Sequence, residues 1–199
     1  VSTTTRRADR RRELIDAARR VAREKGLVGL NVRAVASEAA VSSGSVIYHF
    51  GGFDDLVYAA IEGVLEEFYE QRRALTEQIP DVRARLVALV TAGIPDEISE
   101  DLRLVYESIS LLRAHPEYLP LHRSIVERQV QLYLTTIEIG VATGVFHARM
   151  APSVAARHLV ALEDAYDLYP LLGLATDRAR VRDSILEFAE LALDCTLRT

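Results

Sequence analysis

Ala36-Ser37-Glu38-Ala39-Ala40-Val41-Ser42-Ser43-Gly44-Ser45 is the stretch on which the fold of this chain turns. Two short helices that meet across a tight turn need small residues where they cross, a buried aliphatic in the turn and a polar start to the second helix. Ala36, Ala39 and Ala40 meet the first need, Val41 the second, and Ser42 to Ser45 the third. The pattern is that of a helix-turn-helix, whose second helix lies in the major groove of DNA. Free amides and hydroxyls at that helix start can meet phosphate oxygens while the same turn faces base edges. Gly44 removes a side chain where the backbone would come closest to a duplex.

Outward from this turn, helical periodicity continues in both directions. Leu14, Ala18, Val21 and Ala22 stand at i, i+4, i+7 and i+8, one face of a first helix that ends at Gly26. Asn31 is placed to cap a second helix that carries Val35 and Ala39 inward. Ser42 caps the third, in which Val46 and Phe50 lie one turn apart on the buried side. Gly51-Gly52 ends it, and Asp54 and Asp55 open a long fourth helix, acids where the macrodipole favours them. Breaks at Pro80, Ile94-Pro95, His115-Pro116 with Pro120, Gly144 to Pro152 and Gly173 to Asp177 then separate five helical stretches, 81–93, 97–114, 119–143, 152–172 and 177–197. No run alternates as a strand bounded by hairpin turns, and no segment repeats at a fixed period. The expected class is all-α with about nine helices.

Net charge hides an asymmetry that bears on function. The whole chain carries -5, yet residues 1–53 hold ten Lys/Arg against five acids, whereas residues 54–199 hold fourteen against twenty-four. A front segment at +5 and a remainder at -10 suit a polyanion partner for the first segment alone. The arginine-rich opening has no apolar stretch behind it, so it does not read as a secretory signal. Val130 to Phe146, the longest apolar stretch, is interrupted by Gln131, Thr135, Thr136 and Glu138, which argues against a membrane span. One cysteine, Cys195, cannot form an intrachain disulfide, and a cytoplasmic address is expected.

The segment Arg12 to Leu56 resembles the TetR family of transcriptional regulators through Ala17-Ala18, Gly26, Val35-Ala36, Ala39-Ala40-Val41-Ser42, Gly44-Ser45, Tyr48-His49-Phe50 and Asp54-Asp55-Leu56. The resemblance implies that Arg33 and the third-helix residues Ser43, Gly44, Tyr48 and His49 meet bases or nearby backbone, with Ser45 on a phosphate and the arginine-rich arm along the backbone or minor groove. Ser42 joins them through its place at the helix start. It further implies a DNA-binding domain over 1–53, a helical ligand-binding and dimerisation domain over 54–199, a homodimer, a double-stranded DNA operator and a small-molecule effector that releases a repressor from a pseudo-palindromic site. Val32, Ile47 and Phe53 depart from the family's usual Thr, Tyr and Lys, which removes two hydroxyls and a cation from the backbone contacts. Ala40 replaces the usual turn glycine, which restricts backbone angles. These departures keep a second reading in play, a helical small-molecule-binding or adaptor protein of the same fold with weakened DNA binding.

The C-terminal half offers fewer anchors. Val154, Ala155, Leu159, Val160, Leu162, Ala165, Leu168, Leu171 and Leu172 nearly encircle the helix 152–172, which therefore needs a second partner surface. With Val181, Ile185, Phe188, Ala189 and Ala192 on the next helix, two helices per subunit can close a four-helix bundle across a two-fold axis. Leu159, Leu162, Leu168, Ile185 and Phe188 are the expected interface. Tyr69, Tyr106, Tyr133 and Glu138 are candidate effector contacts, polar tips on apolar stretches, although packing roles explain each equally well. Glu163, Asp164 and Asp167 interrupt the most apolar helix, either to receive a cation or as solvated acids. No glycine-rich phosphate loop, nucleophile elbow, CxxC or helical histidine pairing is present, so no catalytic residue, metal site or cofactor is expected, and the chain does not read as an enzyme.

Overall fold

In the computed structural model, residues 3–109 and 114–197 are described. Nine α-helices and a short 3-10 turn at Pro116–Tyr118 account for the regular structure among them, with no strand. The helices are α1 (Thr3–Gly29), α2 (Val32–Glu38), α3 (Ser43–Phe50), α4 (Phe53–Gln78), α5 (Val82–Gly93), α6 (Glu100–Glu107), α7 (Leu119–Ala142), α8 (Pro152–Leu171) and α9 (Arg178–Leu193). Of the expected helix over 97–114, α6 covers Glu100–Glu107 and Ile109 and Ala114 are helical; positions 110–113 lie outside the described residues, as do Val1 and Ser2 of the arm.

Two compact units share these elements. The first comprises residues 1–66 and 99–120, the second 67–98 and 121–199, and the chain passes from one to the other within α4. Packing thus adds the first part of α4 and the segment 99–120 to the basic N-terminal segment.

Local chemistry accounts for the first unit. Gly26, at φ 65° and ψ 177°, breaks the regular helix inside α1, a conformation that costs a side-chain-bearing residue far more. The Asn31 side chain accepts from the Ala34 amide at 3.0 Å and caps α2, and the Ser42 hydroxyl accepts from the Ser45 amide at 3.2 Å and caps α3. Leu14, Ala17, Ala18 and Val21 of α1 bury against Val35 and Ala36 of α2, Val46 and Phe50 of α3, and Leu56, Ala60 and Ile61 of α4. Leu104 and Val105 of α6 join the same core. Asp101 of α6 binds α1 from outside, accepting from Arg19 at 3.0 Å and from Arg23. Burial raises the Asp101 carboxyl, but its bonds to Arg23 and Arg19 outweigh that and hold it below its ordinary range.

The second unit is built around α5, α7, α8 and α9. Leu86, Leu89 and Val90 of α5, Tyr133 and Ile137 of α7, Ala155, Ala156 and Leu159 of α8, and Ile185, Ala189 and Leu193 of α9 form one core. Asp177 caps α9 by accepting from the amides of Ala179 and Arg180. At its other end the amides of His147 and Arg149 donate to the carbonyls of Leu193 and Ala192, groups a helix terminus leaves without partners.

Candidate nucleic-acid interface

The turn between α2 and α3 leaves most of the expected DNA contacts exposed. Arg33 is exposed on α2; Ser42, Ser43 and Gly44 are exposed at the start of α3, and Tyr48, one turn on, is 72% exposed. Ser45 and His49 are half-buried beside them. Val46 and Phe50 point inward to the core, so the outward face of α3 is presented by the packing of the inward one. A Cβ built on Gly44 meets nothing closer than the Ser42 hydroxyl at 3.8 Å. Within the subunit, then, Gly44 is not required for packing, and the space in front of it is open.

The arm is not extended. Helix α1 begins at Thr3, and its first turns lie against α3: the Arg11 guanidinium sits 4.4 Å from the centre of the Phe50 ring and donates to the His49 carbonyl at 3.5 Å, while Arg7 lies 5.9 Å from the Tyr48 ring. The basic residues of α1 are therefore delivered on a helix that lies against α3.

Of the three departures, two are apolar packing residues. Val32 and Phe53 are half-buried and pack against the core of the first unit, whereas Ile47 is exposed on α3. Phe53 acts as a staple for the start of α4. Ala40 holds φ at 52°, the left-handed region in which the usual glycine is at ease and an alanine is strained.

The second unit contains a buried polar cluster. Arg72 of α4 is 2% exposed. Its guanidinium donates to both carboxylate oxygens of Glu163 on α8, at 3.1 and 3.0 Å, to the Gln129 side-chain oxygen at 3.0 Å, to the Leu89 carbonyl at 3.0 Å and to the Tyr133 hydroxyl at 3.0 Å. Tyr133 in turn donates to Glu163. Burial pushes Glu163 up to about 7 although Arg72 and Tyr133 both pull it down, and it drives the Tyr133 hydroxyl well above its ordinary value. A second buried acid on α8, Asp167, accepts from Arg178, which also donates to the Pro95 carbonyl at 2.9 Å and so holds the segment after α5. The acids that interrupt the apolar helix thus divide: Glu163 and Asp167, one turn apart, each receive an internal guanidinium, and Asp164 stays exposed. Sequence reading passed over Arg72 and Gln129; the available signal was the pair of acids at i and i+4 on the buried stripe, which calls for cations from elsewhere in the chain.

The remaining candidates scatter. Tyr133 lies in the buried cluster, Tyr69 packs partly buried with the Arg128 guanidinium 4.5 Å from its ring, Glu138 is exposed, and Tyr106 belongs to the first unit and is half-buried. The expected interface set requires correction. Leu159 and Ile185 are 0% exposed within a single subunit and have no surface to offer a second chain. Leu168 is 39% exposed, Leu162 and Phe188 are half-buried, and Val154, Leu172 and Leu191 are also exposed. A residue that faces its own core is indistinguishable by periodicity from one that faces a partner. Among the described residues no group of three or more His, Cys, Asp and Glu side chains is arranged to hold a metal, and no helix is long and apolar enough to cross a membrane.

Residues 14–60 match the family described as bacterial regulatory proteins, tetR family. The chain is 28% identical over 158 residues to the HTH-type transcriptional repressor KstR2 of Rhodococcus jostii, covering 78% of this chain and 77% of that one. Its fold is similar to that of a TetR transcription regulator from Haloarcula marismortui, with a TM-score of 0.83 at 24% identity over 94% of this chain and 99% of the other. The multidrug binding protein EbrR, solved with imidazole, superposes with a TM-score of 0.66 at 29% identity over 90% of this chain and 89% of that one. With a capped helix-turn-helix whose second helix presents an open outward face, the chain carries the DNA-binding segment of the tetR family and is a DNA-binding transcriptional regulator.

Proposed function

We propose that this regulator is a cytoplasmic, homodimeric repressor that leaves a pseudo-palindromic operator when a small molecule binds its second half, and that it has no catalytic role. Residues 1–53 serve as its DNA-binding domain and 54–199 as its ligand-binding and dimerisation domain. The observation that carries the reading is the outward face of α3. Ser42, Ser43, Gly44 and Tyr48 stand exposed there, with Arg33 exposed on the preceding helix, on the part of the chain that holds its excess of positive charge. In this proposal Ser43, Gly44, Tyr48, His49 and Arg33 meet base edges or adjacent backbone, and Ser42 and Ser45 meet phosphate.

The apolar residues left open on α8 and at its C-cap, Val154, Leu168 and Leu172, with Leu162 and Phe188 half-covered, support a two-fold pairing of subunits. Two α3 helices held about 34–36 Å apart read successive major grooves. An effector releases DNA only if it binds the wider-spaced state more tightly, and the operator then weakens the effector by the same factor. Known ligands of relatives belong to those proteins; the likeness to EbrR supports a small-molecule site in this fold.

Footprinting of the purified protein on the DNA flanking its own gene is the test. Protection of two symmetric half-sites about one helical turn apart is expected. Protection of a single isolated half-site, or none at low salt, overturns the proposal.

A further inference from the structure

Donors outnumber acceptors in the buried cluster of the second unit. Arg72 uses its two terminal nitrogens on Glu163, Gln129, Leu89 and Tyr133, but its Nε has no hydrogen-bond partner, and neither does the side-chain nitrogen of Gln129. Both residues are more than nine-tenths buried and they touch each other through Arg72 Nη1 and Gln129 Oε1. Buried donors without acceptors are rare in native proteins because their lost hydration is not replaced. Here two occur on residues hydrogen-bonded to each other, and the Arg72 guanidinium is flanked by the Phe68 and Tyr133 rings, each 5.3 Å away. The anion in contact with Arg72 among the described residues, Glu163, is committed on both oxygens to it, with Tyr133 on one of them as well.

We infer that Arg72 and Gln129 form the recognition centre for the effector, and that the effector is an organic carboxylate whose oxygens accept from Arg72 Nε and the Gln129 side-chain nitrogen. This deepens the ligand-responsive reading and rests on it. A carboxylate matches a guanidinium in both charge and spacing. An ammonium ligand would bring donors to a site already short of acceptors, and a neutral amide would leave the charge of Arg72 shared with Glu163 alone. Burial works against the ionised form of Glu163, so an incoming carboxylate can take over as the partner of Arg72 while Glu163 takes up a proton. The aromatic surround suits an apolar or aryl body behind the carboxylate.

Calorimetry and thermal shift on the full chain test the assignment, with octanoate and phenylacetate as probes against octylamine, octanamide and phenylacetamide. The carboxylates are expected to bind and to raise the melting temperature, at least tenfold more tightly than the amides and amine. Glu163→Gln removes the internal competitor and should tighten carboxylate binding by about tenfold, from the size of a charged hydrogen bond or two. Gln129→Met keeps the shape, removes a donor and should weaken it by about tenfold. If Glu163→Gln does not fold, the Gln129→Met comparison decides. Absence of carboxylate binding, equal binding of the amine, or affinity unmoved by Gln129→Met overturns the assignment. An amine or neutral compound that nevertheless releases operator DNA would leave the repressor reading standing and sink this one.

Discussion

Phe53→Lys restores the cation usual at this position in the family, and the structure says what it should cost. Phe53 opens α4, half-buried and packed against the first unit's core. Full burial of a phenylalanine contributes about 3 kcal/mol at most, and a half-buried ring roughly two-thirds of that. Lysine keeps some of this by laying its methylene stem along the apolar surface with its ammonium in water. Cavity formation under the lost ring works in the other direction. The two corrections roughly offset, leaving a loss of about 2 kcal/mol. For a chain of this size that lowers the melting temperature by about 4–8 °C. A thermal melt should be run beside operator affinity measured by fluorescence anisotropy at several salt concentrations. The expected result is a depressed melt, with affinity reduced in step. If Phe53 instead stood free at the DNA-facing surface, each dimer would gain two phosphate contacts and the log K against log salt slope would steepen by about 1.8, at ~0.9 per contact. An unchanged melt with that steeper slope would refute the staple.

Leu168→Glu tests the dimer. Because Leu168 is 39% exposed in one subunit, the new carboxylate remains hydrated in a folded monomer but is desolvated in a pair, so light scattering should report monomers with native helicity; an intact dimer would place the interface elsewhere. Ala40→Gly relieves a left-handed alanine at φ 52° and should stabilise by about 1 kcal/mol, after allowing for glycine's greater freedom when unfolded; a lower melt would contradict it. Gly93→Ala places a Cβ 2.0 Å from a Glu163 oxygen that is held in place by Arg72, and separation of that buried pair should cost about 3–5 kcal/mol in a denaturant titration. Glu163 itself makes stability depend on pH. Its folded value, about 7, lies above its ordinary 4.5, so the folded state holds the extra proton and the associated stability is present in full below about 4.5 and lost as pH rises through 7, amounting to about 3 kcal/mol. Glu163→Gln has no such proton to lose, and the difference in stability between it and the parent should change across that window; a difference that stays constant from pH 4.5 to 8 would show that Glu163 titrates normally.

Much of the first unit was legible in the residues because its signals are local. A cap needs an oxygen three residues from an amide, as at Asn31 with Ala34 and Ser42 with Ser45, and both partners sit in one reading window. The inward positions Val46 and Phe50 are one turn apart, so the outward face of α3 follows by subtraction. Gly26 marks the break in α1 for the same reason, since the conformation it adopts is a property of its own backbone. Phe53 was legible as a departure, open to either a DNA-facing or a stapling role, because which neighbour an aromatic covers depends on where the next helix is packed.

Tertiary structure alone decided the rest. That Glu163 is a buried ion-pair partner and Asp164 an exposed acid depends on a guanidinium 91 residues away in sequence, Arg72. Leu159 and Leu168 carry the same side chain on the same helix, and periodicity assigned both to the interface. Assembly of the subunit closes over the first and leaves the second in water. A helix's own sequence shows how much of its circumference must be covered, through the free energy of burying apolar area. Which part its own subunit covers, and which is left for another copy, is set by the helices that happen to pack beside it.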